Sequence, residues 1–154
     1  MPVLDLTDLP TALAPMTPVF GLDLGEKTIG VAVSDVTRTI ATPLELIRKS
    51  KFTDDANRLF SLMQGRGASG LVIGLPVNMD GTEGPRCQSS RAFARNLLRL
   101  RENLAIAFWD ERLSSAAVNR MLIEEADVTR ARRAELVDKA AAAYILQGAL
   151  DRLG

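Results

Sequence analysis

Short apolar runs alternate with amphipathic segments along the chain, and their order predicts an α/β domain. The first three runs are joined by tight turns, which predicts an antiparallel meander. The later runs are separated by segments with apolar residues at helical spacing, which predicts strands connected by helices. The predicted strands are 19–24, 29–33, 38–46, 71–74 and 105–109, and the predicted helices are 52–64, 85–103, 114–125 and 135–153.

This order, βββαβαβαα, predicts a five-stranded mixed sheet in which three antiparallel strands are followed by two parallel ones, with helices flanking it. A chain of 154 residues suits one domain, which we place at residues 18–154. Residues 1–17 are acidic, interrupted by prolines and without the basic segment of a secretory signal. We predict a flexible N-terminal leader there and a mobile loop at residues 127–133. No apolar run approaches the ~20 residues that span a bilayer, so no membrane association is expected.

The composition narrows the possible chemistry. The chain has no histidine, which excludes Ser-His-Asp and Cys-His catalysis and histidine-ligated zinc. Cys87 is the single cysteine, so no intrachain disulfide can form and a reducing cytoplasm fits. The 19 basic and 19 acidic side chains balance, so any binding of phosphates must depend on local positive charge or on a metal.

Four acidic side chains lie on predicted apolar elements or at their ends. Asp23 ends the first strand between two glycines, where a carboxylate is costly unless a cation or a metal satisfies it. Asp110 and Glu111 end the fifth strand, and Asp138 lies on the apolar side of the last helix. Adjacent strand residues point to opposite faces, so both members of the pair serve one site only if the strand ends or twists there. We favour Asp110 as the member that faces the site.

Each acid also has a purely structural interpretation. Asp23 could cap a turn, Arg112 could neutralise one of its two acidic neighbours, and Asp138 could interact with a helix dipole. Together, however, carboxylates without histidines suit Mg²⁺ or Mn²⁺, which prefer oxygen ligands. Two such ions can hydrolyse a phosphodiester bond. We therefore predict a metal-dependent site with Asp23, Asp110 and Asp138 as ligands and Glu111 as a fourth catalytic carboxylate.

Several polar residues near these acids are candidate contacts to a nucleic-acid substrate. Lys27 and Thr28 follow Asp23 directly, and a long polar loop at residues 74–84 follows the fourth strand. Ligands of open α/β sheets bind beyond the carboxyl ends of strands, which favours this loop. The predicted substrate-binding residues are Lys27, Thr28, Asn78, Thr82 and Arg112. Four arginines of the next helix could also follow a phosphate backbone, although a solvated helix face explains them equally well: Arg91, Arg95, Arg99 and Arg101.

Four motifs, in this order and spacing, resemble the YqgF family: GLDLGEKTIGVAVSD, VIGLPVNMDGTEGP, WDERLSS and VDKAAAAYIL. Members of that family are described as pre-16S rRNA nucleases and as Holliday junction resolvase-like proteins. The resemblance covers residues 18–152 and implies an RNase H-like fold, a divalent metal and a role in maturing the 5′ end of 16S rRNA. Its acidic positions fall on Asp23, the Asp110-Glu111 pair and Asp138. The chain departs from the family pattern at Lys139, where a small residue is common, and at Thr28, where arginine is frequent.

The sequence is also compatible with three other functions. The same fold could act on DNA as a Holliday junction resolvase, or bind RNA or a ribosome precursor without catalysis. An actin-like ATPase is the third, because residues 23–28 resemble a phosphate motif of that group, but such proteins need two related domains. We expect a cytoplasmic protein that is a monomer or a weak homodimer.

Overall fold

The computed structural model describes residues 3–113 and 130–154, with the backbone alone for 130–139. Its five strands form one sheet in the order β3-β2-β1-β4-β5. The first three strands pair antiparallel, whereas β1–β4 and β4–β5 pair parallel, which confirms the predicted mixed sheet. The strands are β1 (Val19–Leu24), β2 (Thr28–Ser34), β3 (Ala41–Arg48), β4 (Gly70–Leu75) and β5 (Ala105–Asp110).

Helices cover both faces of this sheet. They are α1 (Leu9–Ala12), α2 (Phe52–Arg66), α3 (Pro85–Leu100) and α4 (Arg130–Leu153), and short 3-10 turns occupy Leu6–Asp8 and Glu111–Leu113. The predicted helix 114–125 lies outside the described residues. The loop predicted at 127–133 is wrong from Arg130 onward, because α4 begins there. The basic sequence suggested a loop, yet alanine and arginine are both strong helix formers.

The third strand begins at Ala41 and not at residue 38 as predicted, because a turn precedes it. The carboxylate of Asp35 accepts hydrogen bonds from the Thr37 hydroxyl at 2.7 Å and from the backbone N–H groups of Thr39 and Ile40 at 2.7 and 3.1 Å. These bonds, the Thr37 hydroxyl foremost, lower the pKa of Asp35 to about 2. The turn therefore occupies residues that alternation alone assigned to β3.

Two apolar cores form on the two faces of the sheet. On one face α2 and α3 pack against Phe20, Leu22 and their neighbours, and on the other face α4 packs against Val19, Val72 and Trp109. Side chains alternate between the two faces along each strand. The residues that face α4 are the odd-numbered ones of β1 and β5 and the even-numbered ones of β2 and β4. We call this side the α4 face, and the candidate site lies at one end of it.

The predicted flexible leader packs against the domain. The backbone N–H of Leu4 donates to the carbonyl of Ile106 at 2.8 Å, and Leu9 is only 1% exposed. Leu4, Leu6, Leu9 and Leu13 join the core of the α4 face. Four leucines within ten residues were the sequence signal for this packing, which the acidic and proline-rich composition obscured. No helix within the described ranges is long and apolar enough to cross a membrane.

Helix α4 lies unusually close to β1 at Gly21. A Cβ atom built there would lie 2.6 Å from the Leu146 Cβ and 3.2 Å from the Ala142 carbonyl oxygen. Both contacting atoms belong to the backbone of α4 or are fixed to it, so neither can rotate away. Glycine at this position is therefore what allows α4 to approach the end of β1 that carries Asp23.

Replacing Gly21 with alanine should lower the free energy of unfolding by on the order of 3 kcal/mol, since the helix must move away from the sheet. Urea denaturation would measure the change. Gly65→Ala is the matched control, because a Cβ there meets nothing within 4 Å and Gly65 lies inside α2. The control should be neutral or slightly stabilising. Equal stability of the two variants would contradict the close packing of α4.

Candidate active site

Three parallel strands bring their carboxyl ends to one edge of the sheet. β1 ends just after Asp23, β4 ends at Leu75, and β5 ends at Asp110. Since β1 pairs with β4 and β4 with β5, these ends lie side by side. We call this edge the carboxyl edge. Open α/β sheets commonly bind ligands in this place.

Asp23 is a buried carboxylate on the α4 face of this edge. It is 7% exposed and lies two residues after Gly21, so it points to the side on which α4 packs. A buried carboxylate needs partners, and Asp23 does not lack one in the structure. Its strand neighbour on β2 is Gly30, which has no side chain.

Glu111 reaches the same place from the end of β5. A Cβ atom built on Gly74 would lie 3.3 Å from the carboxyl carbon of Glu111 and 2.6 Å from the Ile145 Cδ1 atom. The carboxylate therefore lies over Gly74 on the α4 face. Gly74 follows the paired residues Leu22 and Ile73, so it lies beside Asp23 on the adjacent strand. Adjacent strands are about 4.8 Å apart, which brings the carboxylates of Asp23 and Glu111 close together.

Gly74 is a site residue that sequence reasoning missed. It leaves the gap that the Glu111 carboxylate occupies, and any larger side chain would compete for that gap. The available signal was a glycine near the end of an otherwise apolar strand. Such a glycine often marks the close approach of another group to the backbone.

Asp110 lies on the opposite face of β5. Its neighbour Trp109 belongs to the core of the α4 face, whereas Phe108 packs on the other core. Arg112 donates to the Asp110 carboxylate from its backbone N–H at 2.9 Å and from Nη2 at 2.7 Å. The hydrogen bonds from the Arg112 side chain lower the pKa of Asp110 below its usual value. The structure therefore separates Asp110 from Asp23 and pairs it with arginine.

Asp138 lies on α4, one helical turn before Ala142, whose carbonyl approaches Gly21. Its side chain is outside the described residues. Gln147, later on α4, donates to the Thr39 carbonyl and accepts from the Ala41 N–H at the start of β3, so the helix runs from the carboxyl edge toward the opposite edge. The backbone of Asp138 thus lies toward the edge that holds Asp23.

Within the part of the chain that the structure describes, no three acidic or cysteine side chains cluster closely enough to hold a metal ion. The described donors are the carboxylates of Asp23 and Glu111. Both supply hard oxygen atoms, the type of ligand that Mg²⁺ prefers, and Mg²⁺ commonly uses one or two protein carboxylates together with waters and phosphate oxygens. The donor chemistry of the carboxyl edge fits that ion.

The polar loop after β4 is held by bonds within itself. The Asn78 amide donates to the Thr82 hydroxyl at 3.0 Å, and that hydroxyl donates to Asp80 at 2.6 Å. Gly81 adopts a φ of +88°, which glycine tolerates and which closes the turn. Arg112 Nη1 also donates to the Asn78 carbonyl at 3.4 Å. The side chains of Asn78 and Thr82 therefore hold the two ends of this turn of the loop together.

Lys27 lies in the turn between β1 and β2 at the same edge, and Thr28 is the first residue of β2. The Gly25 N–H donates to the Thr28 carbonyl at 2.9 Å, and Lys27 is exposed. Thr28 lies two residues before Gly30 and therefore shares the α4 face with Asp23. Both residues are close enough to the carboxyl edge to contact a substrate that reaches it.

The family of this chain follows from a comparison with known sequences. The sequence model of the RuvX family, described as Holliday junction resolvase, matches residues 17–152. The chain belongs to the RuvX family. It is therefore a nuclease, and this assignment leaves no support for the actin-like ATPase hypothesis.

Curated relatives and solved structures agree with the RuvX assignment. A relative from Phenylobacterium zucineum is 76% identical over 99% of this chain and 98% of its own length. One from Caulobacter vibrioides is 67% identical with the same coverage. Both are named as candidate pre-16S rRNA nucleases. The structure of T. thermophilus RuvC in complex with a Holliday junction substrate covers 90% of this chain and 96% of that one, at 14% identity and a TM-score of 0.54. This confirms the predicted RNase H-like fold.

Proposed function

We propose that this RuvX protein hydrolyses phosphodiester bonds at the carboxyl edge with Mg²⁺ or Mn²⁺, and that its substrate is the 5′ precursor end of 16S rRNA. One observation carries the location of the site: the Glu111 carboxylate lies over Gly74, next to the buried Asp23. The names of the two relatives above support the RNA substrate. In this proposal the protein acts in the cytoplasm, and its partner is a ribosome precursor.

The metal ligands of this proposal are Asp23, Glu111 and Asp138. Glu111 replaces Asp110 in the set expected from the sequence, because Asp110 faces away from Asp23 and pairs with Arg112. A bound divalent cation would supply positive charge to the phosphoryl oxygens and favour deprotonation of the attacking water. The burial of Asp23 limits competing water at its carboxylate.

The remaining polar residues position the substrate and the loop. The exposed Lys27 and the neighbouring Thr28 contact a phosphate at the carboxyl edge. The guanidinium of Arg112 donates to the Asn78 carbonyl and so fixes the loop. The Asp110 carboxylate accepts a second hydrogen bond from the same guanidinium and holds it in place. Asn78 and Thr82 keep that loop folded over the edge, so their contribution to substrate binding is through the loop backbone.

A cleavage assay with two substrates tests this function. Purified protein should cut an RNA that carries the 16S 5′ precursor end in Mg²⁺ or Mn²⁺, and chelation with EDTA should stop the reaction. The RuvX family description makes resolution of a four-way DNA junction the second candidate. Cleavage of the junction with no cleavage of RNA would favour that candidate. Binding of RNA with no hydrolysis under any metal condition would instead favour a non-catalytic module.

A further inference from the structure

A cleft of about 280 Å³ opens beside the carboxyl edge, on the face of the sheet opposite α4. Leu24 and Gly25 at the end of β1 line one side of it. Leu24 directly follows Asp23, and strand alternation turns its side chain to the other face. The cleft therefore begins one residue from the proposed metal ligand, although the function proposed above does not use it.

Two cations from distant parts of the sequence line this cleft. Lys49 follows β3, Arg86 lies in the first turn of α3, and both side chains are exposed. The backbone N–H of Lys49 donates to the Lys27 carbonyl at 2.9 Å. The side chain of Arg86 donates from Nη2 to the Leu24 carbonyl at 3.5 Å. These bonds hold both residues against the turn that carries Lys27. Glu26 also lines the cleft and reduces its positive charge without cancelling it.

The positive charge continues around the cleft in a protein whose net charge is zero. We call the exposed cations that line the cleft or adjoin it in the neighbouring turn the basic rim: Lys27, Lys49 and Arg86. The salt bridges between described residues do not include any of them. Local positive charge on a neutral protein indicates an anionic partner at that place rather than general attraction.

We propose that Lys49 and Arg86 bind a backbone phosphate of the RNA next to the one that is cleaved. This inference rests on the proposed function, because it assumes that the scissile phosphate lies at Asp23. Each strand of a nucleic-acid duplex carries one charge per about 3.4 Å of helix axis, so a chain that reaches Asp23 also places phosphates near the cleft. Arg86 and Lys49 supply flexible cationic donors, and Ser89 adds a hydroxyl on the same wall.

Binding and salt dependence test this subsite. Lys49→Ala/Arg86→Ala should raise the Kd for the precursor RNA about tenfold, and the slope of log K against log salt should fall in magnitude by about 0.7, since the one phosphate contact that is lost contributes about 0.7 for a single strand. Fluorescence anisotropy in EDTA measures both quantities without cleavage. In Mg²⁺, the same variant should raise KM and leave kcat within about twofold, because the cleft binds without taking part in the chemistry.

Arg95→Ala/Arg99→Ala is the matched control. It removes the same amount of charge from exposed positions of α3, and Arg95 lies half a helical circumference from Arg86. The control should leave Kd and the salt slope near the wild-type values. Glu26→Gln should change binding in the opposite direction and tighten it. Wild-type Kd and slope in Lys49→Ala/Arg86→Ala, or an equal loss in the control, would overturn the subsite. If the wild-type protein cleaves no RNA, the proposed function fails, but the slopes still decide whether the cleft binds phosphate.

Discussion

Replacing Asp23 with asparagine should reduce the rate of RNA cleavage by about 10³-fold or more, because the substitution removes a charge at the site of metal-dependent chemistry. Asparagine has nearly the same size and keeps one side-chain oxygen. Asp23 is buried between close neighbours, and Gly21 two residues earlier already contacts α4, so a side chain of unchanged size preserves the packing. Single-turnover cleavage at saturating RNA measures the chemical step separately from binding.

The control for Asp23 is an exposed acid that takes no part in the site. Asp151 is exposed in the last turn of α4 and accepts a hydrogen bond from Gln147 at the opposite edge of the sheet, so Asp151→Asn should cleave at the wild-type rate. Circular dichroism and urea denaturation establish that both variants fold. Wild-type cleavage by a folded Asp23→Asn protein would remove the basis for a catalytic carboxylate at the end of β1.

The adjacent pair at the end of β5 should respond unequally to the loss of charge. Glu111→Gln should lower the cleavage rate by about 10²-fold or more, since its carboxylate lies over Gly74 beside Asp23. Asp110→Asn should have a much smaller effect, because Asp110 faces the other side of the strand and holds Arg112. The single-turnover assay applied to both variants gives the ratio of the two effects.

This comparison is internally controlled, since the two substitutions remove the same charge from neighbouring residues. Asp110→Asn should chiefly loosen the loop that Arg112 contacts through the Asn78 carbonyl, and this should appear as a higher KM. A larger loss of kcat in Asp110→Asn than in Glu111→Gln would reverse our assignment of the two acids.

The fold was largely predictable from the sequence. Short apolar runs with tight turns indicate β1 and β2, and the helical spacing after residue 52 indicates α2, because burial imposes those periods directly. The boundaries of β3 and α4 were not predictable in the same way. Asp35 delays β3 by accepting three hydrogen bonds in a turn, and the basic residues from Arg130 onward form a helix although their composition suggested a loop.

The candidate site was predictable in its residue types but not in its orientation. Strand alternation shows that Asp110 and Glu111 face opposite sides, but choosing between them requires knowing which side carries α4. The position of Glu111 on that side also requires a gap in the neighbouring strand. Gly74 provides the gap because it has no side chain. The sequence also does not predict that Lys49 and Arg86 line one cleft, because this depends on the packing of α3 beside the β1–β2 turn.

We propose that the carboxylates of Asp23 and Glu111 bind a divalent metal at the carboxyl edge. Titration of the purified protein with Mn²⁺, followed by electron paramagnetic resonance of the free ion, tests it without a substrate. We expect saturable binding by the wild-type protein and by Asp110→Asn, and at least about tenfold weaker binding by Asp23→Asn and Glu111→Gln, because each lacks a charged oxygen ligand. Mn²⁺ binding that is the same in all four proteins would contradict a metal site at Asp23 and Glu111.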